Sequence, residues 1–385
     1  MPPHSRQIMI VSGEASGDLH AAKLVRAIRE CEPDTNFQFF GSAGPNMREA
    51  GVEPVVYADN LSIVGLPEIG RALPMFLRAY QNLKRAAIER RADVVILVDF
   101  PDFNLKLAKS LKKKGLTVIY YISPQLWAWR KYRKRTIKKY VDLLITILPF
   151  EKDWYAGEGI THVEYVGSPL AREVVPNSSS CDFRHRHKIK ADTPLVSLLP
   201  GSRHKEIVRI LPVMLDAAAE LKKQTEELEF IVAIGSDKHS DDVRSIIASR
   251  SNEGLRVISG ETYDVLNASD AAAITSGTAT LEAGIIGTPM AIVYKTSPLN
   301  YKLLRPLISV EHFGLINLIA GERVANEFIQ DDFTPRTLSD ELRRLLDPEE
   351  NSHVRSKLRA ATDKLGHGGA SKRAAESIFE LLSKR

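Results

Sequence analysis

Short apolar runs alternate with helix-period segments along almost the whole chain. Residues 7–11 are strand-like, and 19–29 follow with apolar positions 21, 24, 25 and 28 on one helical face. Run 37–40 is strand-like, 93–98 is dense in valine and isoleucine, and 118–122 and 143–148 read as apolar throughout, as strands covered on both faces are. The segment 175–193, VPNSSSCDFRHRHKIKADT, is polar and serine-rich and interrupts this rhythm as a linker. After Pro194 the alternation restarts, with strand-like Leu195–Leu199, 230–234, 255–258, Ala271–Thr275 and Met290–Tyr294 and a helical 207–224. Helical patterns over 339–346 and 354–382 close the chain. Such alternation predicts an α/β protein of two doubly wound, Rossmann-like domains, 1–174 and 194–350, facing a central cleft, with ligands at the carboxyl ends of the strands.

Size agrees, since 385 residues exceed one typical core. A composition 44% hydrophobic and 26% charged supplies two cores and excludes general disorder. Cys31 and Cys181 are isolated, which offers neither a disulfide framework nor thiolate metal spacing and suits a reducing cytoplasm. His185-Arg186-His187 reads as a solvated basic loop, and no metal site or cofactor is expected. No apolar run is long enough to span a bilayer, and the first apolar run reads as a strand and not a secretory signal. The net charge of +5 is uneven: 130–139, RKYRKRTIKK, carries seven basic residues and no acid. That run is either a solvated helix face or a contact for an anionic partner.

The candidate chemistry sits where apolar runs end. In 271–294, Ser276-Gly277-Thr278 ends a strand and opens a helix that contains Glu282. Small hydroxyl residues at a helix start leave N–H groups for an anion, and an acid further in can accept from ribose. Gly201-Ser202-Arg203 repeats the turn after Leu195–Leu199, where a guanidinium suits a diphosphate leaving group. In the first half, Ser12 and GEASGD (13–18) follow the first strand. This is neither GxGxxG nor a Walker loop, and Glu14 and Asp18 would repel phosphate, so sugar hydroxyls fit better than NAD or ATP. Asp18 is alternatively a helix cap. Asp99 leaves the most apolar strand of this half, where desolvation makes a carboxylate a stronger base. Asp102 and Asn104 are substrate contacts or caps of the next helix. Gln125, Trp127 and Arg130, within SPQLWAWR, suit stacking on a sugar or a membrane contact, the tryptophans being alternatively core. Leu61, Ile63, Val64, Leu66, Leu73 and Phe76 mark an apolar stretch broken by Gly, Pro and Arg, either an interfacial patch for a greasy substrate or an amphipathic helix.

Taken in order, VSGEASGD (11–18), VDFPDFN (98–104), YISPQLWAWR (121–130), LPFEK (148–152), LLPGSR (198–203), SGTATLE (276–282) and INLIAGE (316–322) resemble the lipid-A-disaccharide synthases, glycosyltransferases of the GT-B type. The resemblance runs over nearly the whole chain, outside 1–6 and 175–193. It implies transfer from UDP-2,3-diacylglucosamine to 2,3-diacylglucosamine 1-phosphate, giving a β-1,6 disaccharide 1-phosphate and UDP. It further implies Asp99 as base, inversion without metal, Arg203 and Ser276–Thr278 on the diphosphate, and Glu282 on the ribose. Asn317, Glu327 and Gln330 would line the same pocket, and helices in 351–385 would cross back onto the first domain. Work at the inner-membrane surface is implied too, from the cytoplasmic side, and the family leaves an oligomer possible. Two rivals share the architecture: a UDP-sugar epimerase and a non-catalytic UDP-sugar-binding module. A nucleic-acid partner would use only 130–139 and is not expected.

Overall fold

The computed structural model describes residues 5–62, 69–225, 227–250, 255–298, 301–302, 310–366 and 368–384. They form two compact units, Met1–Pro169 with Gly368–Arg385, and Leu170–His367. The first unit holds seven strands: β1 (Arg6–Val11), β2 (Phe37–Ala43), β3 (Val52–Tyr57), β4 (Val94–Val98), β5 (Val118–Tyr121), β6 (Leu143–Thr146) and β7 (Val163–Tyr165). They lie in the order β3-β2-β1-β4-β5-β6-β7 and pair in parallel. Because side chains alternate across a pleated sheet, each apolar run feeds two cores. Ile8, Ile10, Val94, Ile96 and Val98 enter one, while Met9, Val11, Val95 and Leu97 enter the other.

Helix Ala15–Cys31 closes the first core with Ala21, Leu24, Val25 and Ile28, the stripe its sequence predicts. Against it packs the last helix of the chain, Ala370–Ser383, through Ala374, Ala375 and Ile378. Helix Ile69–Glu89 covers the opposite face with Ala79, Leu83, Ala86 and Ala87.

The second unit repeats this plan with β8 (Leu195–Leu199), β9 (Glu229–Ile234), β10 (Arg256–Ser259), β11 (Ala271–Thr275), β12 (Met290–Tyr294) and β13 (Glu327–Ile329), ordered β10-β9-β8-β11-β12-β13 and again parallel. Strand order therefore reverses between β1 and β4 in one sheet and between β8 and β11 in the other. Loops leaving such neighbours diverge to opposite faces and open a crevice at the strand ends.

Three features differ from the sequence reading. Segment 175–193 is no bare linker: Ser180–Arg186 is a helix inside the second unit. Its anchors are Phe183, fully buried, and Arg184, whose guanidinium donates to the Ala268 and Thr193 carbonyls and pairs with Asp270 at 2.9 Å. The closing helical run is broken after Pro348–Asp363 by Gly366, Gly368 and Gly369, at φ +81°, +84° and +72°, so only Ala370–Ser383 belongs to the first unit. Finally β3, β7 and β13, all edge strands, escape the pattern because a strand covered on fewer sides needs fewer apolar residues.

Candidate functional site

The turns after β1 and β4 meet at the reversal point of the first sheet, with Val11 paired to Leu97. Ser12 is fully buried and its hydroxyl donates to the Glu14 carbonyl at 3.2 Å. Glycine is required next, because a Cβ on Gly13 would lie 2.3 Å from the Phe100 ring. Glu14 is exposed and precedes helix Ala15–Cys31 without capping it.

Asp99 and Phe100 are consecutive left-handed residues, φ +47° and +51°, a backbone that side chains disfavour by about 1 kcal/mol or more each. Surrounding bonds hold it. The Asp99 N–H donates to the Tyr121 carbonyl at 3.0 Å, while its own carbonyl accepts from the Tyr120 hydroxyl at 2.6 Å and the Asn104 amide at 2.8 Å. The Asp99 carboxyl thus belongs to the turn at the carboxyl end of β4. Burial, reinforced by the Glu14 charge and opposed by the Phe100 N–H, pushes that carboxyl up to about 6.

Several other first-unit expectations need correction. Asp18 is buried and fully engaged, its carboxylate accepting from the N–H groups of Gly44, Asn46 and Met47 and from the Asn46 amide. It caps helix Pro45–Glu49, so no lone pair is left for a sugar. Asn104 is buried and braces the Asp99 turn, and its Oδ1 has no hydrogen-bond partner among the described residues. Asp102 is exposed and ion-paired with Arg130 and Arg133. Trp127 is core, with its indole N–H donating to Glu151 Oε1 at 3.1 Å. Trp129 is the exposed tryptophan of this segment, with the Arg130 guanidinium resting on its ring at 4.2 Å, and Gln125 is exposed as well.

Glu151 was missed. It is buried, accepts from Trp127, Ser123 and the Leu148 N–H, and burial pushes its carboxyl up to about 7 despite those bonds. Its sequence signal is an acid directly after Leu148-Pro149-Phe150, within the phrase LPFEK. Of the apolar patch, Leu61 is buried core and Phe76 packs on Phe100 and Phe103. Leu73 is exposed, as is Leu77 four residues on. Ile63, Val64 and Leu66 lie outside the described residues.

At the reversal point of the second sheet, loops after β8 and β11 line a cavity of about 530 Å³. Gly201, Ser202, Arg203, Ser276, Gly277, Thr278 and Glu282 all line it, as do Tyr263 and Asp264. Gly277, at φ +156° and ψ −162°, occupies backbone open essentially to glycine alone and caps helix Thr278–Ile286, whose first N–H groups have no side-chain cap. Ser276 donates to the Phe313 carbonyl at 2.8 Å, which pins the turn. Arg203 is largely exposed and, among the described residues, held by Glu206 at 2.8 Å, within the first turn of helix His204–Lys222. Glu282 is half-buried and raised by desolvation, with the Tyr263 hydroxyl donating to it at 3.1 Å. A basic group, helix-end donors and a carboxylate in one crevice can hold an anionic group joined to a hydroxylated ring.

Asn317, Glu327 and Gln330 do not line that cavity. Asn317 is fully buried, accepts from the Val324 and Ala325 N–H groups and donates to the Ala325 carbonyl and to Glu327. Glu327 accepts further from the Phe313 and Gly314 N–H groups, and Gln330 is tied to the Thr296 backbone at both ends of its amide. The polar groups of Asn317 and Glu327 are consumed in positioning the 313–314 loop that Ser276 grips, and those of Gln330 in holding Thr296.

A family model described as Lipid-A-disaccharide synthetase matches residues 8–380. The chain is 42% identical over 382 residues to the lipid-A-disaccharide synthase of Syntrophus aciditrophicus, covering 99% of both chains. It is 41% identical to that of Myxococcus xanthus over 377 residues, covering 98% of this chain and 97% of the relative. A UDP-GlcNAc 2-epimerase from Neisseria meningitidis, solved bound to UDP-GlcNAc, superposes with a TM-score of 0.62 over 97% of this chain and 100% of its own, at 12% identity. That likeness carries the GT-B-like fold and no epimerase activity.

Proposed function

Because the chain belongs to the lipid-A-disaccharide synthetase family, and so is a glycosyltransferase that forms the lipid A disaccharide, we propose which of its residues carry the reaction and on what substrates. The donor is UDP-2,3-diacylglucosamine and the acceptor 2,3-diacylglucosamine 1-phosphate. Asp99 takes the proton from the acceptor's 6-hydroxyl as that oxygen attacks the anomeric carbon. The bond to UDP breaks in the same displacement, so configuration inverts. The second unit's cavity holds UDP, with Arg203 and the N–H groups at Ser276–Thr278 on the diphosphate and Glu282 on the ribose.

One observation supports this reading above the others. A desolvated carboxyl in the first sheet and an anion cradle in the second occupy the same topological position, the strand-order reversal. An acid near 6 is mostly ionised at neutral pH yet more basic than an ordinary aspartate, as a general base should be.

The test supplies both acylated monosaccharides and follows the disaccharide 1-phosphate by mass spectrometry. Asp99→Asn is expected to abolish transfer with UDP affinity intact, while Arg203→Ala lowers the rate by roughly 10²-fold or more. Normal transfer by Asp99→Asn places the base elsewhere.

The chain further works at the inner face of the inner membrane. Among the described residues no helix is long and apolar enough to cross a membrane. Leu73 and Leu77 are instead 55% and 53% exposed on successive turns of one helix face, the geometry of an interfacial contact. Leu73→Ser with Leu77→Ser is expected to reduce co-sedimentation with anionic lipid vesicles; unchanged sedimentation refutes this role.

A further inference from the structure

Beside the nucleotide cavity, but outside its lining, two histidines and an aspartate converge from distant parts of the second unit. His204 is the first residue of helix His204–Lys222 and directly follows Arg203. His239 ends the short turn Asp237–His239, and Asp242 lies in the first turn of helix Ser240–Ala248. The two imidazoles meet on a single carboxylate oxygen: Asp242 Oδ2 lies 2.8 Å from His204 Nδ1 and 3.2 Å from His239 Nδ1. Their ring centres are 6.2 Å apart. One ligand atom from each of the three residues falls within 4.8 Å of the other two.

We propose that His204, His239 and Asp242 form a site for a borderline divalent transition-metal ion of the zinc class. Tetrahedral zinc holds nitrogen and oxygen ligands at about 2.0–2.2 Å, which places neighbouring ligand atoms about 3.4 Å apart. The carboxylate-to-imidazole separations of 2.8 and 3.2 Å lie just below that value, so small side-chain rotations suffice. Two imidazoles and one carboxylate suit zinc, cobalt or nickel and not calcium or magnesium, which take all-oxygen shells. Side-chain exposures of 58%, 20% and 34% leave the remaining coordination position open to solvent. An ion here would tie the start of the helix that follows Arg203 to the start of Ser240–Ala248.

The chemistry of the site is separate from glycosyl transfer, and its test reads binding. Untagged full-length protein is titrated with cobalt(II), following visible absorption, and with zinc by calorimetry. One saturating equivalent is expected, with zinc displacing the cobalt band and raising the thermal midpoint. His239→Ala and Asp242→Asn are each expected to weaken binding by about tenfold or more. Their thermal midpoints without metal separate a lost ligand from a lost fold, and His239→Gln repeats the test with a polar replacement of similar bulk. Equal affinity in wild type and all three variants, or no saturable cobalt band at millimolar ion, overturns the site.

Discussion

Asp99 carries two opposed demands in one side chain. Its folded-state value of about 6 lies above the ordinary 3.8, so ionisation opposes folding. The sign follows: stability attributable to this group is present below about 4, is lost as pH rises through about 6, and stays lost above. The full difference corresponds to at most about 3 kcal/mol. Asp99→Asn should therefore raise the thermal midpoint at pH 8, and the gain should vanish near pH 4, where the native carboxyl is already protonated. Thermal melts at the two pH values check this. The rate of transfer should fall on the acid side with an apparent pKa near 6. Because the Glu14 charge is the second cause of the raised value, Glu14→Gln should move that acid limb to lower pH. An unmoved limb would mean that Asp99 does not titrate in it.

Between elements, the buried amides and carboxylates of the second unit serve as brackets. Asn317 makes hydrogen bonds to Val324, Ala325 and Glu327, and Glu327 in turn accepts from the loop at 313–314 that Ser276 holds. Removing one member of such a network strands its buried partners. Asn317→Ala is expected to lower stability by about 2–4 kcal/mol in chemical denaturation. If it lowers UDP affinity in the folded protein far more than it lowers stability, Asn317 contacts the nucleotide directly. On the first unit, Asp18 does the same work for helix Pro45–Glu49. In both places a polar residue in a family phrase is spent on holding backbone, and its identity alone does not announce that.

For the molecule as a whole, the last helix belongs to the first unit although the sequence reaches it only after the second. Ala374, Ala375 and Ile378 are buried in the same core as Leu24 and Ile28. Deleting residues 368–385 uncovers that core, and the expected result is a lowered midpoint for the first unit with UDP binding by the second retained. Equal loss in both units would show that they do not unfold as separate bodies.

The α/β class, two doubly wound units and ten of the thirteen strands among the described residues are legible in the chain, because a strand buried on both faces must be apolar at nearly every position. The strand-end phrases around Asp99, Arg203 and Ser276 are legible for a related reason: tight turns at such ends restrict residue type. Tertiary structure alone decided that Asp18, Trp127, Asn317 and Gln330 are structural, that Glu151 is buried, and that His204, His239 and Asp242 converge. Each of those outcomes depends on which partners lie within hydrogen-bonding distance. Such neighbours come from elements tens of residues away, and no local period or spacing records them.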